Sequence, residues 1–290
     1  MTTTVVLCRC DARRPELIET VRRTPFSRVD AFPGPDLPAG GAETAPPDLV
    51  VLGTSGLPTV ADVVPAYRAV RDVWPGTPVV VELGEDHDDV DLAFTLIHLG
   101  AHDVVHRRHR AEDFWRVAEI AAGRREECPY QPLLLPHPST DGLWAFVSMD
   151  FDPNVEERRA YYTAVRPAIC KALGLPPTAC QRADEVYPPD GELDFVRRAK
   201  QAIYDRAVVI AFLCSPDERT PPNSDVCVET GYAQAHGKPV LVLRTRASQR
   251  PPVMLGQTLW VDYSSLCELA LKLYYGLGGN RGHLVQTWPG

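Results

Sequence analysis

Glu229 carries the strongest chemical signal in this chain. It lies in Asp225-Val-Cys-Val-Glu229-Thr-Gly-Tyr-Ala-Gln-Ala-His-Gly-Lys-Pro-Val240, after the apolar run Ala207-Val-Val-Ile-Ala-Phe-Leu213. The pattern reads as a buried strand, a loop, a short helix with an acid near its start, and a second strand. A carboxylate so placed stands at the C-terminal edge of a parallel sheet, where open α/β sheets bind small ligands. Thr230 and Gly231 follow it directly and leave room for a ligand. A second candidate is the loop Ser148-Met149-Asp150-Phe151-Asp152, at the end of the strand Leu143–Ser148. Its backbone amides and the Ser148 hydroxyl suit a ligand hydroxyl or phosphate at the N-terminus of the next helix. Asp150 and Asp152 oppose a phosphate. Arg182 offsets that charge by pairing with a phosphate or with Asp184.

Each of these residues also has a plain structural reading. Glu229 fits a helix-start carboxylate stabilised by the dipole. Asp225 fits an N-terminal cap as well as an acid. Arg182-Ala-Asp184-Glu185 fits a surface ion-pair cluster, and Cys214 and Cys227 fit small buried hydrophobes. The histidines, including His102, His106 and His109, show no metal-ligand spacing, so neither a metal nor a cofactor is expected.

The chain that must position these groups has 290 residues, enough for two domains. It is 44% hydrophobic and 23% charged, the balance of a globular protein. A net charge of -8 argues against DNA binding; Arg107-Arg108-His109-Arg110 reads as a solvated loop. The start, Met1-Thr-Thr-Thr4 followed by the short run Val5–Leu7, lacks the pattern of a secretory leader, and no run reaches membrane-span length. The eight cysteines contain one close pair, Cys8 and Cys10. They are expected to be reduced thiols in a cytoplasmic protein.

Two βα series are separated by a proline-rich stretch. In the first, strands are read at Thr4–Cys8, Asp48–Leu52, Thr77–Val81 and Asp103–Val105. Helices are read at Pro15–Arg23, Val60–Trp74, Asp88–Gly100 and Ala111–Ala122. Residues 123–142 carry Pro129, Pro132, Pro136 and Pro138 and read as a linker, with Leu133–Leu135 docking onto one domain. In the second series, strands are read at Leu143–Ser148, Thr178–Gln181, Ala207–Leu213, Lys238–Leu243 and Thr258–Val261. Helices are read at Asn154–Leu173, Asp190–Asp205, Asp225–His236 and Ser264–Tyr275. The fold class is therefore α/β: two doubly wound, flavodoxin-like parallel-sheet domains in tandem, 1–122 and 143–290.

The first segment resembles a response-regulator receiver domain, through Pro47-Asp-Leu-Val-Val-Leu-Gly53, Leu57-Pro58, Thr77-Pro-Val-Val-Val81 and Gly100-Ala-His-Asp-Val-Val105. In that family a phospho-accepting Asp ends the third strand; here Gly53 stands there. The hydroxyl position is Leu83, the lysine position is Arg107, and of the acidic cluster Asp11 alone is nearby. Without carboxylates to hold Mg²⁺ and accept phosphate, the resemblance implies a pseudo-receiver, a module for sensing or for meeting a protein partner; a receiver-shaped packing domain without any switch fits equally.

The second segment resembles the nucleoside 2-deoxyribosyltransferase-like superfamily, whose layout is shared with TIR-type domains. Three blocks carry the resemblance: Phe146-Val-Ser-Met-Asp-Phe-Asp152, Arg182-Ala-Asp-Glu185, and Ala207–Ala211 with Glu229-Thr-Gly-Tyr-Ala233 and Gly237-Lys-Pro-Val240. It implies cleavage or exchange of an N-glycosidic bond, with Glu229 as nucleophile. A carboxylate can stabilise the oxocarbenium character that develops at the anomeric carbon, or bond to it. A second acid protonates the leaving base; Asp217 and Asp225 are the candidates. Tyr161, Tyr162 and Tyr232 offer rings for stacking on a base, and Tyr161 and Tyr162 fit core and surface positions too. The expected ligand is a nucleoside, a nucleotide or a NAD-like molecule. Two rival readings stay open: a NAD-cleaving TIR-like effector regulated through the first domain, and a non-catalytic nucleotide sensor. Self-association into a homo-oligomer is expected in all three.

Overall fold

The computed structural model describes residues 4–8, 28–32, 46–54, 57, 59–84, 89–106, 132–138, 144–150, 155–186, 192–213, 222–245 and 258–279. The expected helices Pro15–Arg23 and Ala111–Ala122 lie outside these residues. So do Asp11, Arg107 to Arg110, Phe151, Asp152, Cys214 and Asp217. The chain divides into two compact units, one holding each sheet.

In the first unit, β1 (Thr4–Cys8), β2 (Arg28–Phe32), β3 (Leu49–Gly53), β4 (Val79–Leu83) and β5 (Asp103–His106) form a parallel sheet in the order β2-β1-β3-β4-β5. All five residues of β3 are buried, as expected of a central strand covered on both faces. Sequence periodicity did not locate β2. It pairs β1 at the sheet edge, and Arg28-Val-Asp-Ala-Phe32 is short and half polar. Helices α1 (Val60–Val73) and α2 (Val90–His98) have side-chain starts. The Asp62 carboxylate accepts from the Thr59 N–H at 3.1 Å and from its hydroxyl at 2.6 Å. Asp89 accepts from the N–H groups of Asp91 and Leu92. Gly100, at φ +92°, turns the chain out of α2 in the left-handed region that glycine tolerates best.

In the second unit, β6 (Ala145–Ser148), β7 (Cys180–Arg182), β8 (Val208–Phe212), β9 (Val240–Thr245) and β10 (Thr258–Tyr263) are also all parallel, in the order β10-β9-β8-β6-β7. Both sheets thus share the flavodoxin-like order, with the first strand of each series between the second and third. The helices are α3 (Val155–Ala160), α4 (Arg166–Leu173), α5 (Ala183–Val186), α6 (Glu192–Asp205), α7 (Ser224–Ala235) and α8 (Leu266–Gly276). A π-helical turn, Tyr161–Val165, joins α3 to α4. The sequence had suggested one uninterrupted helix there. Pro167 explains the difference: it lacks an N–H for the preceding turn, and its ring crowds that turn's carbonyl, which the wider π turn relieves.

Strand alternation sorts the side chains of the second sheet. Phe146 packs in one core cluster with Val209 and Ala211 of β8, Ala199 and Ala202 of α6, and Val226 and Ala233 of α7. Ser148, two residues on, shares that α6–α7 face. Val147 pairs in register with Arg182, so both point to the opposite face. Residues 132–138 are pinned to this unit. The Leu133 N–H donates to the Gly276 carbonyl at 2.7 Å and the Trp144 indole to the Pro136 carbonyl at 2.9 Å. Leu133 is the leucine that docks, while Leu134 stays exposed. Among the described residues, no helix is long and apolar enough to cross a membrane.

Candidate functional site

The site is built where β6 and β8 end side by side. Their connections leave toward opposite edges of the sheet, and such a switch point opens a crevice beyond the strand ends. Ser148, buried, is the last residue of β6. Glu229 lies in the second turn of α7, the helix that follows β8. The Ser148 hydroxyl donates to Glu229 Oε2, a contact between residues 81 apart in the chain. Among the described residues, Oε1 has no such partner.

A second tie runs parallel to the first. Asn223, not Asp225, is the N-cap of α7: its Oδ1 accepts from the N–H groups of Asp225 at 2.8 Å and Val226 at 3.3 Å. Its Nδ2 donates to Asp150 Oδ2 at 2.7 Å. One amide side chain therefore caps the helix and holds the loop after β6. Asp225 is left exposed in the first turn, one turn before Glu229. Burial raises the Glu229 pKa above the usual carboxylate value; the Ser148 hydrogen bond works against this and the Asp225 charge adds to it.

Of the other expected residues near this pair in the chain, Met149 and Tyr232 are described. Met149, the residue after Ser148, is buried. Tyr232, three residues after Glu229, packs against the core cluster. Its ring lies 4.4 Å from that of His236, and Lys200 Nζ lies 5.7 Å from its centroid. Phe151 and Asp217 are outside the described residues.

Arg182 and Asp184 belong to a different group, set by the opposite face of β7. They pair with each other at 2.9 Å. The centre of this group is Glu185, which accepts from the hydroxyls of Tyr161 at 2.8 Å and Tyr162 at 3.0 Å, from Arg166 at 3.1 Å and from the Arg182 N–H at 3.1 Å. Burial disfavours the Glu185 charge, but these four donors outweigh it and hold its pKa below the usual value. Tyr161 is buried and Tyr162 part-exposed, engaged by Glu185 and by the Arg166 cation. Arg182 Nη1 is buried without a hydrogen-bond partner among the described residues.

Glu157 escaped the sequence reading. It is buried in the first turn of α3, and its pKa is pushed up to about 7, first by burial and then by the charges of Asp150 and Glu156. The available signal was two adjacent acids opening the helix after the Ser148 loop, of which one must face inward. Asn223 also escaped; the signal was an Asn directly ahead of Ser224-Asp225 at a helix start. Among the described residues, no group of three His, Cys, Asp or Glu side chains is arranged to hold a metal. Cys170, Cys180, Cys227 and Cys267 are free thiols.

The arrangement presents an oriented carboxylate, a neighbouring acid on the same helix, and a buried carboxyl that holds a proton near neutrality. These are the groups needed to stabilise a developing cation and to supply a proton.

No protein-family model and no curated protein matches the chain. Among solved structures, the chain is similar to the signal receiver domain of a LuxO repressor protein from Vibrio parahaemolyticus. Identity is 18%, over 43% of this chain and 92% of that one, with a TM-score of 0.36. It is also similar to the CMP N-glycosidase BcmB from Clostridium botulinum, at 16% identity over 44% of this chain and 96% of that one, with a TM-score of 0.31. A third likeness is to an adenylate cyclase from Rhodopirellula baltica, at 10% identity over 43% and 90% of the two chains, with a TM-score of 0.36.

Proposed function

We propose that the second unit cleaves or exchanges the N-glycosidic bond of a nucleoside or nucleotide, with Glu229 at the anomeric carbon. The observation that carries this reading is the Ser148–Glu229 hydrogen bond at the switch point. It fixes one carboxylate oxygen; in this reading the other meets the anomeric carbon, to attack it or to stabilise its positive charge. Asp225, one turn earlier in the helix, is in this reading the acid that protonates the departing base. Glu157 holds a second proton behind Asp150.

The acidic surround supports the same chemistry, because positive charge in the transition state is attracted by Glu229 and Asp150. It also favours a neutral nucleoside over one bearing a 5′-phosphate. Arg182, the cation that would balance a phosphate, pairs with Asp184 on the other face. The first unit, with Gly53 where a phospho-acceptor would stand, serves in this reading as an interaction module.

The test is mass-spectrometric detection of free base after incubation with nucleosides, nucleoside monophosphates and NAD. Release by the parent protein and not by Glu229→Gln supports the reading, with nucleosides expected to react faster than monophosphates. Nicotinamide release from NAD alone would point instead to the NAD-cleaving class. A folded protein that binds one of these ligands and releases nothing overturns the proposal.

A further inference from the structure

The last residue of β7 is an arginine with one terminal nitrogen unused. Arg182 is 4% exposed, and its side chain lies on the face of the sheet away from Ser148. Nη2 donates to Asp184 Oδ2 at 2.9 Å. Nη1 is buried and has no hydrogen-bond partner among the described residues. A guanidinium is all donor, and a buried donor left unmade is both destabilising and rare. Neither neighbouring carboxylate supplies the missing bond. Glu185 is engaged by the Tyr161 and Tyr162 hydroxyls, by Arg166 and by the Arg182 backbone N–H. Asp184 bonds one terminal nitrogen of the two, although a carboxylate and a guanidinium can match as a fork through two parallel bonds.

The two partners also differ in exposure. The Arg182 side chain is 5% exposed and that of Asp184 43%. A buried, fixed cation is thus held by an acid at the surface, and an acid so exposed gains little from the pair. Tyr162 borders both. Burial and the Glu185 hydrogen bond raise its hydroxyl pKa, the Arg182 charge lowers it, and the Asp184 charge adds to the rise.

We propose that Asp184 is a place-holder, and that the Arg182 fork takes the phosphoryl group of a small-molecule ligand at both terminal nitrogens once Asp184 turns out into solvent. The chemistry favours phosphoryl over carboxylate. A free carboxylate has the same charge as Asp184 and competes with a tethered rival whose effective concentration is on the order of millimolar. A phosphoryl group carries roughly −1.5 to −2 at pH 7 and three acceptor oxygens, enough to span Nη1 and Nη2 together. With Asp184 turned away, Arg182 and Arg166 stand against Glu185 alone, two cations to one anion. The bound group lies beside the Tyr162 hydroxyl. This position is on the opposite face from the Ser148–Glu229 pair and is independent of the chemistry proposed for Glu229.

Isothermal titration calorimetry of the full chain with inorganic phosphate and with ribose 5-phosphate tests this, at an ionic strength held constant with sodium chloride. Both probes should bind. Tighter binding of ribose 5-phosphate would assign the site to a phosphorylated metabolite, and equal binding to free phosphate. Asp184→Asn removes the rival and should tighten binding roughly 2- to 5-fold, the weight of an exposed ion pair. Arg182→Gln should abolish binding. Arg182→Lys keeps the charge without the fork and should weaken binding roughly tenfold. Circular dichroism checks that the variants fold; Asp184→Asn changes an exposed residue and keeps the test decisive should the Arg182 variants fail to. Added phosphate should slow hydrogen exchange in peptides covering β7 and α5. Glu229→Gln should leave all of this unchanged. The proposal is overturned if neither the parent nor Asp184→Asn binds either probe, if binding survives Arg182→Gln, or if Asp184→Asn binds no tighter than the parent. Loss of binding in Glu229→Gln would place the anion at the other face and overturn it too.

Discussion

Glu157 makes the second unit sensitive to alkali, and the size of the effect follows from its burial. Its folded-state pKa of about 7 stands above an ordinary value of 4.5. Between these values the folded chain keeps a proton that the unfolded chain has released. The stability tied to that proton is fully present below pH 4.5 and is lost as pH rises through 7. At 1.36 kcal/mol per pH unit, the gap corresponds to about 3 kcal/mol. Glu157→Gln keeps the shape of the neutral acid and removes its titration. Hydrogen exchange in increasing urea, followed in peptides covering β6 and β8, reads the opening of this unit separately from the first. The parent should lose about 3 kcal/mol between pH 5 and pH 8, while the variant stays nearly level over that range. The two proteins should match near pH 5, and the variant should be the more stable at pH 8. Parallel curves for parent and variant would refute the reasoning, because they would show that the side chain ionises freely in the folded state.

The first unit should respond in the opposite direction. Burial holds the His102 pKa at about 4, below its ordinary 6.5, so stability present above pH 6.5 is lost as pH falls through 4, by about 3 kcal/mol. His102→Phe should flatten this acid slope in peptides covering β3 and β4, and an unchanged slope would count against it. Ser148→Ala removes a hydrogen bond to a charged group, typically about 1.5–3 kcal/mol. Base release should fall roughly 10- to 100-fold, and the acid limb of the pH–rate profile should move to higher pH as Glu229 loses the donor that lowers its pKa. Asn223→Ala should cost about 1–2 kcal/mol in denaturant midpoint through the lost cap; a loss confined to activity would show that the tie to Asp150 matters more than the cap.

Most of the fold was legible because it rests on apolar runs. Leu49–Leu52, Val79–Val81 and Val208–Phe212 are continuous and hydrophobic, and a strand covered on both faces can hardly read otherwise. Edge elements were less legible. β2 alternates weakly, and the π turn at Tyr161–Val165 arises from a single proline whose effect periodicity does not register. The site was legible in part for a similar reason. Ser148 ends one strong strand and Glu229 lies in the helix that follows another, so their meeting follows from topology. Arg182 was placed with them because β7 also ends there, but the one-residue register Val147–Arg182 puts its side chain on the other face. Glu157 and Asn223 depend on which side of a helix turns inward, and the first turn of a helix gives too short a pattern to decide that.

The span of 81 residues between Ser148 and Glu229 also bears on when the site forms as the chain folds. Every pairing in a parallel sheet joins segments distant along the chain, and closing such loops is slow. The carboxylate gains its hydrogen-bond partner only after β6 and β8 have paired and α7 has settled across them. A newly made or partly unfolded chain therefore holds no oriented Glu229, because the contact that orients it joins residues 81 apart. In a refolding experiment, activity should return with the last kinetic phase of the second sheet, after most of the helical signal has recovered.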